Sequence, residues 1–138
     1  MKLGDFALTE VYKMLKGLND EESIWYVDYD LSIFKYCKPD NKSPRYYITL
    51  NTLPITSGVL QKCYLNVNCH AVDLGPGQPD TEALNEVSDN VLNMLDNVTR
   101  DVETTTMLID FESEETFRDD SLKEHYKNLR FSVKIINR

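Results

Sequence analysis

Glycine and proline are scarce, at five each in 138 residues, which excludes collagen-like repeats and Pro/Gly-rich low-complexity classes. Cysteine is scarcer still. Cys37, Cys63 and Cys69 are an odd number in a chain long enough to build a core, so no oxidised framework is expected and they read as reduced small hydrophobes. No stretch approaches the roughly 20 consecutive apolar residues of a spanning helix. Met1-Lys2-Leu3-Gly4-Asp5 leads into a charged amphipathic segment rather than a signal-peptide core, so a cytosolic protein without a membrane partner is expected. Positive charge is also short: 15 Lys and Arg against 23 Asp and Glu give a net charge of −8 and a pI near 4.7. Non-specific affinity for nucleic acid comes from neutralising phosphates with Lys and Arg, so a phosphate-binding surface is not expected. An acidic protein can still enclose DNA while repelling it.

What is present fits one domain spanning residues 1–138. Apolar residues make up 41% of the chain, and a chain of this length buries roughly two-thirds of its unfolded surface without a disulfide or metal. Leu8, Val11, Tyr12 and Leu15 recur at helical spacing within Asp5–Leu18, with Asp5 as cap and Gly17 near the stop. Ser23–Asp28 is rich in β-branched and aromatic residues and predicts a strand. Residues 30–45 hold the turn formers Cys37–Pro44 and predict a long exposed loop. Arg45–Thr52 predicts a second strand, ended by Pro54 and a Thr56-Ser57-Gly58 turn.

From Val59 to Ala71 alternation is sustained. Val59, Cys63, Leu65, Val67, Cys69 and Ala71 share the apolar parity, and Lys62, Asn66, Asn68 and His70 share the wetter one. The loop Asp73–Pro79 precedes a helix capped by Asp80 or Thr81 and running to about Val98, with Leu84, Val87, Val91, Leu95 and Val98 as its buried stripe. Strands follow at Thr105–Glu112 and Asn128–Ile136, separated by an acidic loop, Ser113–Glu124. The predicted class is α+β: a mostly antiparallel sheet of about four to five strands with two helices packed on one face.

Chemistry has few footholds. Cys63, Cys69, His70 and His125 lack the paired spacing of zinc ligands, so no metal is expected. Cys69 and His70 are adjacent on one strand and face opposite sides, which rules them out as a nucleophilic pair. Gly75-Pro76-Gly77 precedes a helix but lacks the pattern of a phosphate loop, and reads as a turn. Glu112, Glu114, Glu115, Asp119 and Asp120 lack calcium-loop spacing and read as a solvated segment at an interface. Tyr26, Tyr29, Phe34, Tyr36, Tyr46 and Tyr47 cluster in and around the predicted loop and suit a protein-contact surface. Nothing composes a nucleophile, base and oxyanion site, so neither an enzyme nor a cofactor is expected.

The stretch Leu65-Asn66-Val67-Asn68-Cys69-His70-Ala71 is followed by Leu84, Val87, Val91 and Leu95 on a helix, an acidic segment, and Glu124–Val133. Together these resemble the tail-completion and tail-terminator (head–tail joining) proteins of long-tailed bacteriophages. The family ending also finds Asp120, His125 (one residue displaced), Leu129 or Phe131, and Val133 in this chain. The likeness runs from about Val59 to the C-terminus, and the N-terminal half, Cys37–Pro44 included, departs from the pattern. The resemblance implies a non-enzymatic virion protein, in the host cytoplasm during assembly. It implies a homo-oligomeric ring, hexameric or larger, that caps the tail tube at the neck, meets the tube protein and the head-side connector, and leaves a channel through which DNA passes without specific binding. Interface residues expected on that reading are Tyr29, Phe34, Tyr36 and Tyr46, with Glu114, Glu115, Asp119 and Asp120 at the lumen or between subunits. Deleting residues 37–44 is then expected to weaken assembly and leave a folded monomer. A bacterial α+β adaptor module is the second expectation, and a small hydrolase or metal enzyme using His70, His125 and the carboxylates the third.

Overall fold

Two helices lie on one face of a six-stranded sheet. The computed structural model describes residues 3–56 and 61–137, with side chains described for 4–53 and 61–137. In chain order the elements are α1 (Leu3–Leu15, continued by a 3-10 turn, Lys16–Asn19), β1 (Leu31–Lys35), β2 (Tyr46–Thr56), β3 (Gln61–Val72), α2 (Thr81–Leu95), β4 (Val98–Val102), β5 (Thr105–Asp119) and β6 (Glu124–Asn137). The strand order is β1-β2-β3-β6-β5-β4. Every pair is antiparallel except β1 with β2, which is parallel.

The inward parity builds one core. Cys63, Leu65, Val67 and Cys69 of β3 join Ile48 and Leu50 of β2, Met107 and Ile109 of β5, and Leu129, Phe131, Val133 and Ile135 of β6. Ala7, Leu8, Val11 and Leu15 of α1 and Val87, Val91 and Leu95 of α2 close it from above. α1 lies over β1, β2 and β3, and α2 over β3, β6 and β5. α1 approaches β2 closely: a Cβ at Gly4 would fall 2.5 Å from Thr52 Oγ1. Buried Glu10 of α1 bonds Arg100 of β4 at 3.1 Å. Since β4 lies at the sheet edge opposite β1, this contact requires the sheet to curl around the helices.

The α+β class and the two helices on one face match the sequence reading, while several elements differ. Ser23–Asp28 is a turn, because its backbone is captured elsewhere: Val27 N–H bonds Leu18 O at 3.0 Å, and Asn90 Nδ2 donates to Trp25 O at 3.0 Å. β1 lies instead inside the stretch expected as loop, where Leu31, Ile33 and Phe34 pair beside β2. The sheet is therefore mixed and has six strands. Pro54 does not end β2, which runs to Thr56. Among the described residues it has no strand neighbour on the β1 side beyond Leu50, and an edge tolerates a missing N–H. The expected start of the next strand at Val59 and the Ser57-Gly58 turn lie outside the described residues. α2, capped by Asp80 Oδ1 accepting from Ala83 N–H at 3.2 Å, ends at Leu95, and Asn97 at φ +55° turns the chain so that Val98 opens β4. Gly77 at φ +70° and the Gly75–Gln78 bridge make the glycine/proline loop a tight turn.

The largest departure is Ser113–Glu124. It is not a loop but the outer half of a hairpin, with β5 and β6 paired to Asp119–Glu124 and only residues 120–123 in the tip. The register slips between Phe111 and Ser113, making Glu112 the extra residue of a bulge. A one-residue slip exchanges faces. Phe111 points inward with the core, whereas Ser113, Glu115, Phe117 and Asp119 fall on the open face.

Candidate interaction surface on the open sheet face

The sheet face away from the helices carries the outward residues in rows, one from each strand. Tyr47, His70, Tyr126 and Phe117 are aligned across β2, β3, β6 and β5. Their rings stack in succession, with centroids 4.2, 4.9 and 5.2 Å apart, and Phe34 of β1 meets Tyr47 edge-on at 6.1 Å. Cross-strand aromatic pairs of this kind stabilise a sheet by about 0.2–1 kcal/mol each. The next rows are amides. Asn128 Nδ2 donates to Asn68 Oδ1 at 2.7 Å, Asn66 Nδ2 to Asn51 Oδ1 at 2.9 Å, and Arg130 Nε to Asn66 Oδ1 at 3.3 Å.

Beneath the aromatic row is a buried polar cluster. Glu124 Oε1 accepts from the Tyr47 hydroxyl at 2.5 Å and lies 2.9 Å from His70 Nδ1, while His70 Nε2 lies 3.0 Å from Thr49 Oγ1. A ring proton on Nδ1 would donate to Glu124, and a bare Nε2 would accept from Thr49. Burial, then the hydrogen bond to Glu124 and its charge, push the Tyr47 phenol far above its ordinary pKa. The connectivity hydroxyl, imidazole, carboxylate is that of a hydrolytic relay. Its surroundings are not: Thr49 is 6% exposed, and rings stack on both faces of His70. The groove beside it, lined by Asn51, Asn66, Asn68, Phe117, Tyr126, Asn128 and Arg130, measures about 270 Å³. That is below the usual range of about 300–1,000 Å³ for small-molecule sites. The arrangement fixes the side chains of this face in place.

The sequence-predicted residues do not gather in one patch. Tyr29 and Tyr46 pack together at 4.8 Å on the helix side, against Ala83 and Leu84 of α2, and Tyr46 Oη donates to Asp80 Oδ2 at 3.3 Å. Tyr29 is pushed up to about 12, first by burial and then by the carboxylate of Glu86. Phe34 lies on the open face. Tyr36 is exposed at φ +71°, its hydroxyl bonded to Asp5 at 2.9 Å. Glu114 and Glu115 are exposed on β5, Asp119 ends that strand, and Asp120 opens the tip, paired with Arg118. Asp119 is held below the ordinary carboxylate range by hydrogen bonds from Ser121 and the Leu122 N–H.

His125 faces the helix side, its Nδ1 2.6 Å from Asp73 Oδ1. The wider groove there, near 680 Å³, is lined by Arg118, Lys123, Asp73 and Asp120, with Arg118 paired to Asp120 and Asp73 bonded to His125. Cys63 and Cys69 are buried inward, and burial pushes their thiols up to about 11 and about 12. Among the described residues no group of three or more His, Cys, Asp or Glu is gathered to hold a metal ion, and no helix is long and apolar enough to cross a membrane.

Sequence reasoning placed Asn66, Asn68 and His70 on the wetter face but missed their partners Tyr126, Asn128 and Glu124. The signal was available: Tyr126, Asn128, Arg130, Ser132 and Lys134 continue the outward parity of the last strand back to Glu124.

No protein-family model matches the chain, and no curated protein matches it in sequence. Among solved structures, a chain from the virion of a native gene transfer agent (GTA) particle has the same fold. The TM-score is 0.62 at 11% identity, over 94% of this chain and 98% of that one.

Proposed function

We propose that the protein is a non-enzymatic structural component of a phage-like virion. It forms a homo-oligomeric ring at the neck that terminates or completes the tail tube and joins it to the head-side connector. The observation that carries this reading is the fold likeness, nearly end to end in both chains, to a chain of a GTA virion. The open sheet face supports it further, since its side chains are fixed by stacking and amide bonds and present a preorganised surface to a protein neighbour. In a ring each subunit meets its neighbour through two different patches. The net charge of −8 lets DNA pass through a channel without adhering.

The deciding experiment is light scattering of the purified protein over a concentration range, with and without the tail tube protein. A closed ring, alone or on adding the tube protein, is expected. A monomer under every condition overturns the ring and favours an adaptor that binds one partner.

A further inference from the structure

The two ends of the open sheet face differ in charge. At the end away from the aromatic row, Lys62 of β3 stands directly opposite Lys134 of β6. Like charges in direct cross-strand register destabilise a sheet. Among the described residues neither lysine makes an ion pair, and Asp110, diagonal to Lys134 across β5, does not either. Arg130 lies on the same face with its guanidinium 4.9 Å over Tyr64 and its Nε on Asn66, so it too is held without a carboxylate. Leu53 and Ile136, 53% and 40% exposed, flank these cations.

The opposite charge sits on the same molecule, farther along β5. From Glu112 to Asp120 the chain carries five carboxylates and one arginine. β4 pairs with β5 only as far as Ile109, so β5 presents an open edge beyond that point. Asp96 Oδ1 takes the Phe111 N–H at 2.9 Å, and among the described residues no strand covers the rest. Lys134 and Leu129, the β6 partner of Glu114, are five residues apart on β6, a separation of about 17 Å. Neither Lys62 nor Lys134 spans that gap to Glu114 or Glu115 within one copy, whereas Arg130, opposite Ser113, adjoins the acidic stretch.

We propose that the cationic end of the open face, Lys62 and Lys134 flanked by Leu53 and Ile136, receives the uncovered acidic edge of β5 from a second copy of this chain. The two patches are different and are separated along the sheet, as a heterologous contact that propagates around a ring requires. The inference rests on the ring reading and names the surfaces that meet. Carboxylates on an edge also deter chance strand pairing, but that role leaves the opposed lysines without a reason. A nucleic-acid partner fits less well: two cations beside exposed leucine and isoleucine neutralise few phosphates, and such neutralisation is what supplies non-specific affinity.

The test is charge exchange, read as mass by sedimentation and light scattering. K62E/K134E and E114K/E115K are each expected to raise the apparent dissociation constant of assembly at least about tenfold, because each sets like charges against like. Mixed in equal amounts, the two variants regain complementary contacts in alternation, and assembly is expected to return to within about threefold of the original. Recovery in the mixture also shows that both variants fold, and K62Q/K134Q, which only neutralises, is expected to give a smaller loss in the same direction. If either reversal assembles like the original chain, or the mixture does not recover, this contact is wrong while the ring stands. An original chain that stays monomeric even with tube protein removes both. If K62E/K134E assembles normally but loses binding to a fluorescent DNA duplex, the patch belongs to nucleic acid and the proposal is overturned.

Discussion

Cys63, Cys69 and Tyr47 carry protons that the folded chain releases late. Burial holds the two thiols at about 11 and about 12 against an ordinary 9.0, and burial with the Glu124 carboxylate raises the Tyr47 phenol well above 10.0. Each folded value lies above its unfolded one, so the stabilisation is complete below the unfolded pKa and is lost as pH rises from about 9 through the folded values. In that window the folded state binds more protons, and the unfolding free energy must fall with pH. Urea denaturation in reducing buffer at pH 8, 9, 10 and 11 is expected to give steadily lower midpoints above pH 9. A flat profile would mean these groups titrate as freely folded as unfolded. The cysteines were legible as core because alternation from Cys63 to Ala71 left no other face for them. Tyr29 and Tyr46 were not legible as packed residues, since tyrosine serves a core edge and a contact surface equally well, and what separates the two is α2 arriving from 35 residues downstream of Tyr46.

At the scale of elements, periodicity decided what could be read. α1, β3, α2 and the inner part of β6 each set one apolar face against the core, so helical or alternating spacing exposed them. β1 and β4 are five residues each and too short for a pattern. The outer half of β5 is exposed on both faces, so no alternation marks it, and the bulge at Glu112 resets its parity. Ser23–Asp28 had strand composition but no strand beside it. These errors alter one expected outcome, the deletion of residues 37–44. β1 and β2 are parallel neighbours with Leu31 opposite Tyr46, so the chain leaving Lys35 must return the length of β1, about 13 Å, before entering β2. Without 37–44 only Tyr36 and Arg45 remain to connect Lys35 to Tyr46, and three Cα steps reach about 11 Å. The deletion is expected to unpair β1 and uncover Leu31, giving a lower thermal midpoint and dye-accessible apolar surface rather than the intact monomer that a simple loop would leave. Unchanged melting would show that β1 is dispensable.

At the scale of the whole molecule, long-range and contact electrostatics oppose one another, and magnitudes decide where each wins. A chain of this length has a radius of gyration of about 14 Å, so neighbouring centres in a ring lie about 30 Å apart. Two copies of charge −8 at that distance repel by about 3 kcal/mol at 0.01 M salt, where the Debye length is about 30 Å, and by about 0.4 kcal/mol at 0.1 M, where it is about 10 Å. Contact pairs about 4 Å apart keep about two-thirds of their attraction at 0.1 M and only about a quarter near 1 M, where the Debye length is about 3 Å. Assembly is therefore expected to tighten between 0.01 and 0.1 M salt and to loosen again toward 1 M. In K62Q/K134Q the tightening should persist while the loosening shrinks, because neutralisation removes the contact term and leaves the net repulsion. Sedimentation across a salt series separates the two arms. Assembly that tightens continuously up to 1 M would make the subunit contact apolar, with Leu53 and Ile136 carrying it and the acidic edge left to line the channel.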